Sequence, residues 1–308
     1  EGPKDKKLEA ETVQTIGAYG FYNGFTSLGG TLGRFNYYTS FQYRFGNCWR
    51  CNSEFDNYNL YAALKYSSNK GTTIKAEYTR SWYLARQPGG LTDAQFSSDA
   101  QQALRERNWF RVKWNTIALS VNHEFSSRSK LDLRVFGLLA SREALGFLGP
   151  PNLSDPISNP SSSDREKYRD MIQGNFNNIG SEIRFLHRYT IKSMPQVMLT
   201  GVRVYAGKTE NAQGAADSTY DAVFEFRDVI ASSSASTHPS WNVAWFAEHI
   251  FNVHKKVSIT PGVRVEFIET RTEGQNRNVY FDQADNVLLD SLNRGSSTRR
   301  RWFPLFGI

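Results

Sequence analysis

The sequence has no run of 18 apolar residues, which excludes a membrane-spanning helix. Helical periodicity is nearly absent too: a turn or two is expected around 92–106 and 164–173 and nowhere else. Only two cysteines occur in 308 residues, too few for a disulfide scaffold. The five histidines, His123, His187, His238, His249 and His254, show no metal-ligand spacing, so no metal and no cofactor is expected. A Ser–His pair using His123 or His187 is conceivable, but no serine is marked as a nucleophile, and no enzyme activity is expected. The chain opens at Glu1 without Met or a signal-peptide pattern and closes on "RRRWFPLFGI", which reads as half a strand. Both ends look cut, and a longer protein is expected around them.

What the sequence does have is aromatics and positive charge. Phe, Tyr and Trp make up 14% of the residues, more than an ordinary soluble core requires, and Tyr and Trp suit a membrane–water boundary. The formal charge of +7 and a pI near 9.3 imply anionic company. Basic residues interleaved with aromatics also describe single-strand nucleic-acid binders. Here they recur once or twice per strand instead of forming one stripe, so no nucleic-acid partner is expected. The mean hydropathy of −0.54 reads as soluble, but a transmembrane β-barrel hides its membrane signal by alternation.

The alternation is plain in "VSITPGVRVEFIET" (257–270). Val257, Ile259, Pro261, Val263, Val265 and Phe267 lie two apart, with Ser258, Thr260, Gly262, Arg264 and Glu266 between them. Period two predicts a strand with one apolar and one polar face. The pattern recurs in 12–27, 35–45, 58–68, 74–84, 117–125 and 179–191, in roughly eleven segments long enough to cross a bilayer at a tilt. Short connections (29–34, 67–71, 126–130, 189–195 and 252–256) alternate with long ones (47–56, 85–108, 147–177, 207–240 and 271–300). Outer-membrane barrels alternate short periplasmic turns with long extracellular loops in this way, whereas soluble sandwiches, the competing all-β reading, rarely do. The fold expected is therefore all-β, a transmembrane antiparallel β-barrel, with residues 1–308 forming part of one barrel domain. The odd side of 257–267 is assigned to lipid, because Arg264 at the bilayer midplane would cost about 2–4 kcal/mol. Loop order gives direction: the strand at 12–27 should descend into a short turn, and "EGPKDKKLEAE" should be the tail of an extracellular loop.

Several residues carry candidate roles. Pro88, Gly89, Gly90, Leu91 and Thr92 form a turn motif in the first very long loop, with Arg86 before it and Arg105 and Arg107 after it. Arginine forks bind carboxylates bidentately, so Arg86, Arg105, Arg107 and Arg203, the last expected just below the 207–240 loop, are the candidates for holding an anionic ligand. Glu182, Arg184, Glu248, Arg264 and Glu266 share the inner parity and are expected to form ion pairs. His123, His187 and His249 fall on the lipid side near strand ends, as interfacial rings. Cys48 and Cys51 in "CWRC" lack a second pair for zinc and the helix start of a redox motif. On an outer loop in an oxidising compartment a local disulfide is the simplest reading, with two free thiols as the alternative.

Four stretches in order, "QPGGLTDAQF" with "RERNWFRVKWNT", then "LTGVRVYAGKT" (199–209), then 241–270 with its Thr260-Pro261-Gly262 and Arg264-x-Glu266, resemble the TonB-dependent outer-membrane receptors of the ferric dicitrate type. Trp49-Arg50 matches a pair in an early loop of that family, Arg105 and Arg203 coincide with its arginines, and "CWRC" departs from its pattern. The resemblance implies a 22-stranded barrel closed by a plug, of which this chain supplies the first half of the wall. It implies residence in the bacterial outer membrane among lipid and lipopolysaccharide, and uptake of a ferric chelate as ligand. It further implies an energy-transducing TonB-type partner that engages a plug lying outside this sequence. Another siderophore, haem, a glycan or a peptide on the same scaffold, or a passive porin-like barrel, are the alternatives. A glycan receptor would favour aromatic platforms at the mouth over the arginines found here.

Overall fold

The computed structural model describes residues 2–308. The alternating pattern is satisfied, among the described residues, by an antiparallel sheet of thirteen strands in which each pairs with its sequence neighbours, with one exception. The strands are β1 (Glu9–Ile16), β2 (Tyr22–Leu32), β3 (Phe35–Gly46), β4 (Phe55–Ser67) and β5 (Thr72–Arg86). A short helix α1 (Asp93–Ser98) precedes β6 (Trp109–Glu124) and β7 (Ser129–Gly146). Then follow β8 (Asp170–Ile191), β9 (Met194–Ala215), β10 (Ser233–His254), β11 (Val257–Ile259), β12 (Gly262–Phe281) and β13 (Val287–Gly307). Sequential up-and-down pairing places β1 and β13 at the two edges. The exception is that β10 pairs with both β11 and β12, and those two do not pair with each other.

The count exceeds the expected eleven for two reasons. Residues 12–27 are not one strand: β1 and β2 flank a tight turn in which Tyr19 and Gly20 take φ of 58° and 65°. Apolar alternation continues on both sides of that turn and masked it. β11 and β12 are one strand interrupted at Thr260-Pro261, since Phe251↔Ile259 and Glu248↔Gly262 keep the same register against β10. Proline has no N–H for the ladder, which breaks it there.

Direction changes accordingly. The turn after β2 is short, so β1 runs the opposite way and residues 2–8 lie at the short-turn end. Thr31 N–H donates to the Lys6 carbonyl at 2.8 Å, and Gly2 N–H donates to Asn36 Oδ1 at 3.1 Å, beside the β2–β3 turn. Residues 2–11 are therefore not the tail of a long loop, and the part of that expectation that falls on Glu1 lies outside the described residues.

The long connections are shorter than the sequence suggested, because strands continue past the apolar span. The segment 271–300, expected as a loop, is the paired upper half of β12 and β13, closed by a turn at 282–286. In that turn Asp282 Oδ1 accepts from the Ala284 and Asn286 N–H groups at 2.8 and 2.9 Å. Residues 271–278 and 293–300 are polar on both faces, and the apolar residues at 279–281 and 287–289 are consecutive, so the alternation that marks a strand is missing there. Likewise β9 and β10 narrow the 207–240 connection to 216–232, and β8 begins at Asp170 inside the expected 147–177 loop. Strands β8, β9 and β10 have 22 residues each, about twice what a tilted bilayer crossing needs.

The two faces separate as the alternation requires. Ile117, Leu139 and Ile179 are 62%, 62% and 60% exposed on the apolar face. The opposite face carries the pairs Arg184–Glu182 and Arg264–Glu266. Near the long loops the apolar face is covered instead: Leu145, Met171, Ala216 and Phe224 form a buried cluster beneath the 216–232 loop. The Arg111 guanidinium, paired to Glu143 through two 3.0 Å bonds, lies 4.0 Å from the Phe224 ring.

Candidate ligand site

At the long-loop end, three connections are tied into one roof by buried arginines. Long loops carry many carbonyls without strand partners, and buried carbonyls need donors. Arg107, fully buried, forms a two-pronged pair with Asp155 and donates to the Lys167 and Ser218 carbonyls at 2.6 and 2.9 Å. It thereby joins 87–108, 147–169 and 216–232. Arg169 pairs with Asp217 and donates to the Arg107 and Asp221 carbonyls at 3.2 and 2.9 Å. Arg105 donates to the Gly149 and Pro150 carbonyls at 3.1 and 2.7 Å and sits 4.7 Å from the Phe147 ring.

Burial pulls the Arg169 pKa below the usual arginine value, with Asp217 opposing. Burial also pushes the Asp217 carboxyl up, but the hydrogen bonds from Arg169 and Thr219 outweigh it and hold it below the usual range. Burial lowers Arg105 in the same way, and the nearby Asp155 charge opposes that shift.

Four arginines were singled out in the sequence, and three belong to this roof. Arg105 and Arg107 give their donors to protein carbonyls and Asp155. Arg86 bonds Asn52 and the Glu106 carbonyl and lies 4.4 Å from the Trp109 ring. The turn motif is part of the same assembly. Gly89 takes φ +73°, and a Cβ there would stand 2.5 Å from Arg105 Cγ. Thr92 caps α1 through a capping box with Gln95. The Pro88 and Gly89 carbonyls accept from Arg50, at 3.3 and 2.7 Å. Arg50 stands between Cys48 and Cys51, and both cysteines are free thiols, in place of the disulfide expected.

Arg203 is placed differently from expectation. It is the tenth residue of the 22-residue β9, in the middle of the wall instead of just under a loop. Strand register assembles around it a row that no single segment of sequence displays. Lys65, Lys75, Ser120, Arg134, Glu182, Arg203, Ala244 and Glu266 are successive cross-strand partners from β4 to β12, all on the inner face. Four cations and two carboxylates make the row net positive. Among the described residues Arg134 and Arg203 form no ion pair, and Arg203 lies 5.9 Å from the Phe136 ring. The row borders a cavity of about 910 Å³, with Arg134, Glu182, Arg184, Arg203 and Tyr205 among its lining residues. Sequence reading missed Arg134, Lys65 and Lys75, because only pairing across the six strands β4 to β9 brings them into one row with Arg203. Among the described residues no cluster of His, Cys, Asp and Glu fits a metal ion.

No family model matches the chain, and no curated protein matches it. Solved structures do. The ferric citrate transporter FecA in its unliganded form superposes with a TM-score of 0.68 at 17% identity, covering 97% of this chain and 42% of that one. The siderophore receptor PiuA from Acinetobacter baumannii gives 0.66 at 9% identity, covering 99% and 47%. The ferric-catecholate import receptor Fiu from E. coli K12, open form, gives 0.64 at 10%, covering 98% and 52%. The chain spans about half the length of these structures, and its sheet has the fold of part of the TonB-dependent receptor barrel.

Proposed function

We propose that this chain is the first half of the wall of an outer-membrane receptor that takes up an iron chelate, and that the chelate is a ferric dicitrate-type anion. The observation that carries the anionic part is the inner-face row: among the described residues its Arg134 and Arg203 form no ion pair, and both line a large cavity. An anion with several carboxylates suits guanidinium forks. The locked loops hold one another in place, and their arginines act on loop position more than on ligand. The uptake part rests on the fold shared with the ferric citrate and siderophore receptors. No covalent step is needed: binding and release suffice, with a plug and a TonB-type partner supplying the energy in the whole receptor.

The test is calorimetry on the full-length protein with ferric dicitrate, iron-free citrate and an unrelated siderophore. Ferric dicitrate alone should bind. Arg134→Ala together with Arg203→Ala should weaken that binding by about 1.5–3 kcal/mol or more, as expected for lost charge-assisted hydrogen bonds. Tight binding of the unrelated siderophore instead would keep the receptor and replace the substrate.

A further inference from the structure

The two ends of the sheet treat their cations in different ways. At the long-loop end several outward-facing cations are matched to acids, Lys208 to Glu210, Arg271 to Glu273 and Arg300 to Glu269, while Lys113 and Arg294 form no salt bridge among the described residues. The short-turn end holds the pairs Lys6–Glu9 and Lys130–Asp132, but the turns between its strands show no such matching. Its five turns contain Arg34, Lys70, Arg128, Lys192, and Lys255 with Lys256, and no Asp or Glu. All six are exposed, and among the described residues none forms a salt bridge.

Just above these turns the outward face carries a band of rings. Phe35 lies tilted beside Tyr66, His123 meets Phe125 edge-on, His187 stacks with Phe185 and Tyr189, and His249 lies tilted against Phe251. The histidines are tied to their neighbours: His123 to Thr72 at 2.8 Å, His187 to Ser129 at 2.9 Å, His249 to Tyr189 at 2.6 Å. Rings with one dry and one wet side collect at the level of lipid headgroups. Cations set one turn beyond that level meet the headgroups themselves. The turns hold them in fixed frames: Ser68 Oγ accepts from Lys70 N–H at 3.1 Å, and Ser126 Oγ from Arg128 N–H at 3.2 Å.

We propose that the short-turn end binds anionic phospholipid headgroups, through a collar made of Arg34, Lys70, Arg128, Lys192, Lys255 and Lys256 beneath the ring band. The proposal rests on the membrane-wall reading above and adds the lipid class to it. The collar is an anchor that fixes the depth of the wall on one side, while at the far end acids beside several of the cations weaken any such preference. Each cation close to an anionic surface contributes about a fivefold preference, so a few acting together exceed tenfold.

The test is native mass spectrometry of the full-length protein in detergent, titrated with phosphatidylglycerol or with phosphatidylcholine of the same acyl chains. Phosphatidylglycerol should bind at concentrations at least tenfold lower. Replacing all six cations by Gln should remove that preference, and Lys208→Gln with Arg271→Gln should keep it. If the six-fold variant fails to fold, Lys255→Gln/Lys256→Gln and Arg128→Gln/Lys192→Gln should each lower the preference severalfold. A preference absent in the wild type, or unchanged in the turn variants, overturns the collar. Flotation with vesicles of each lipid separates the two readings. Protein that floats with neither defeats the membrane wall itself, whereas flotation with both and no headgroup preference removes the collar alone.

Discussion

Arg107 shows what one side chain does when it is wholly buried with its charge matched. Its guanidinium reaches Asp155 and the Lys167 carbonyl in 147–169 and the Ser218 carbonyl in 216–232, so its removal leaves a buried carboxylate and two bare carbonyls. Arg107→Ala should cost the roof about 3–5 kcal/mol, the usual penalty for breaking a buried pair from one side. Backbone hydrogen exchange in 147–169 and 216–232 should rise together, and an effect confined to 87–108 would contradict the three-way tie. Gly89→Ala should disturb the same roof from another direction, since its Cβ meets Arg105 in a left-handed backbone position. Asp217 adds a pH dependence whose sign is fixed. Its carboxyl is held below the ordinary aspartate value, so the stabilisation is complete above that value and is lost as pH falls through the lowered one. Exchange in 216–232, corrected for intrinsic rate, should be flat from pH 7 to about 5 and accelerate below about 4.

At the level of the strand, the apolar and polar faces make unequal demands. Val263, Val265 and Phe267 pair outward with Ala247, Trp245 and Val243, and Arg264 and Glu266 pair with each other inward. Val263→Arg should reduce barrel assembly severely, by about 2–4 kcal/mol where the residue lies near the midplane. Arg264→Ala should be mild, because the inner face is wet. Heat-modifiable migration of the refolded protein checks this, and equal effects would mean the faces are reversed. Strand identity was legible wherever one face is apolar: 35–45, 58–68, 74–84, 117–125 and 179–191 all lie in strands, with ends off by a few residues. It was not legible in 271–300, where both faces are polar or the apolar residues are consecutive, or across Tyr19-Gly20, where the alternation crosses a turn. The histidines at positions 123, 187 and 249 stand outward near the short turns, as parity alone indicated.

For the whole molecule, the roof, the inner wall and the turn collar are three regions with different physics. The roof is dry and matched, the wall is wet with unmatched arginines, and the collar is exposed and unmatched. Cooperative loosening of 87–108, 147–169 and 216–232 should therefore leave the wall strands protected. Exchange mapped on wild type and Arg107→Ala should show the loops moving as one unit above an unchanged sheet. The ligand candidates divide along the same lines. Arg105 and Arg107 had the right chemistry in the sequence, but the loops around them supply the carbonyls that take it up.

The sequence alone determined that the chain is a two-faced antiparallel sheet, which face avoids water, and which connections are short. Each of these depends on period two and on local turn chemistry, which are properties of neighbouring residues. Tertiary structure decided which arginines are matched and which stand open. That depends on strand register and on loops meeting across long sequence separations: Arg107 with Ser218, Arg203 with Arg134 through Glu182. A single chain of letters shows a charge and its neighbours in sequence, and only the folded sheet shows what lies beside it in space.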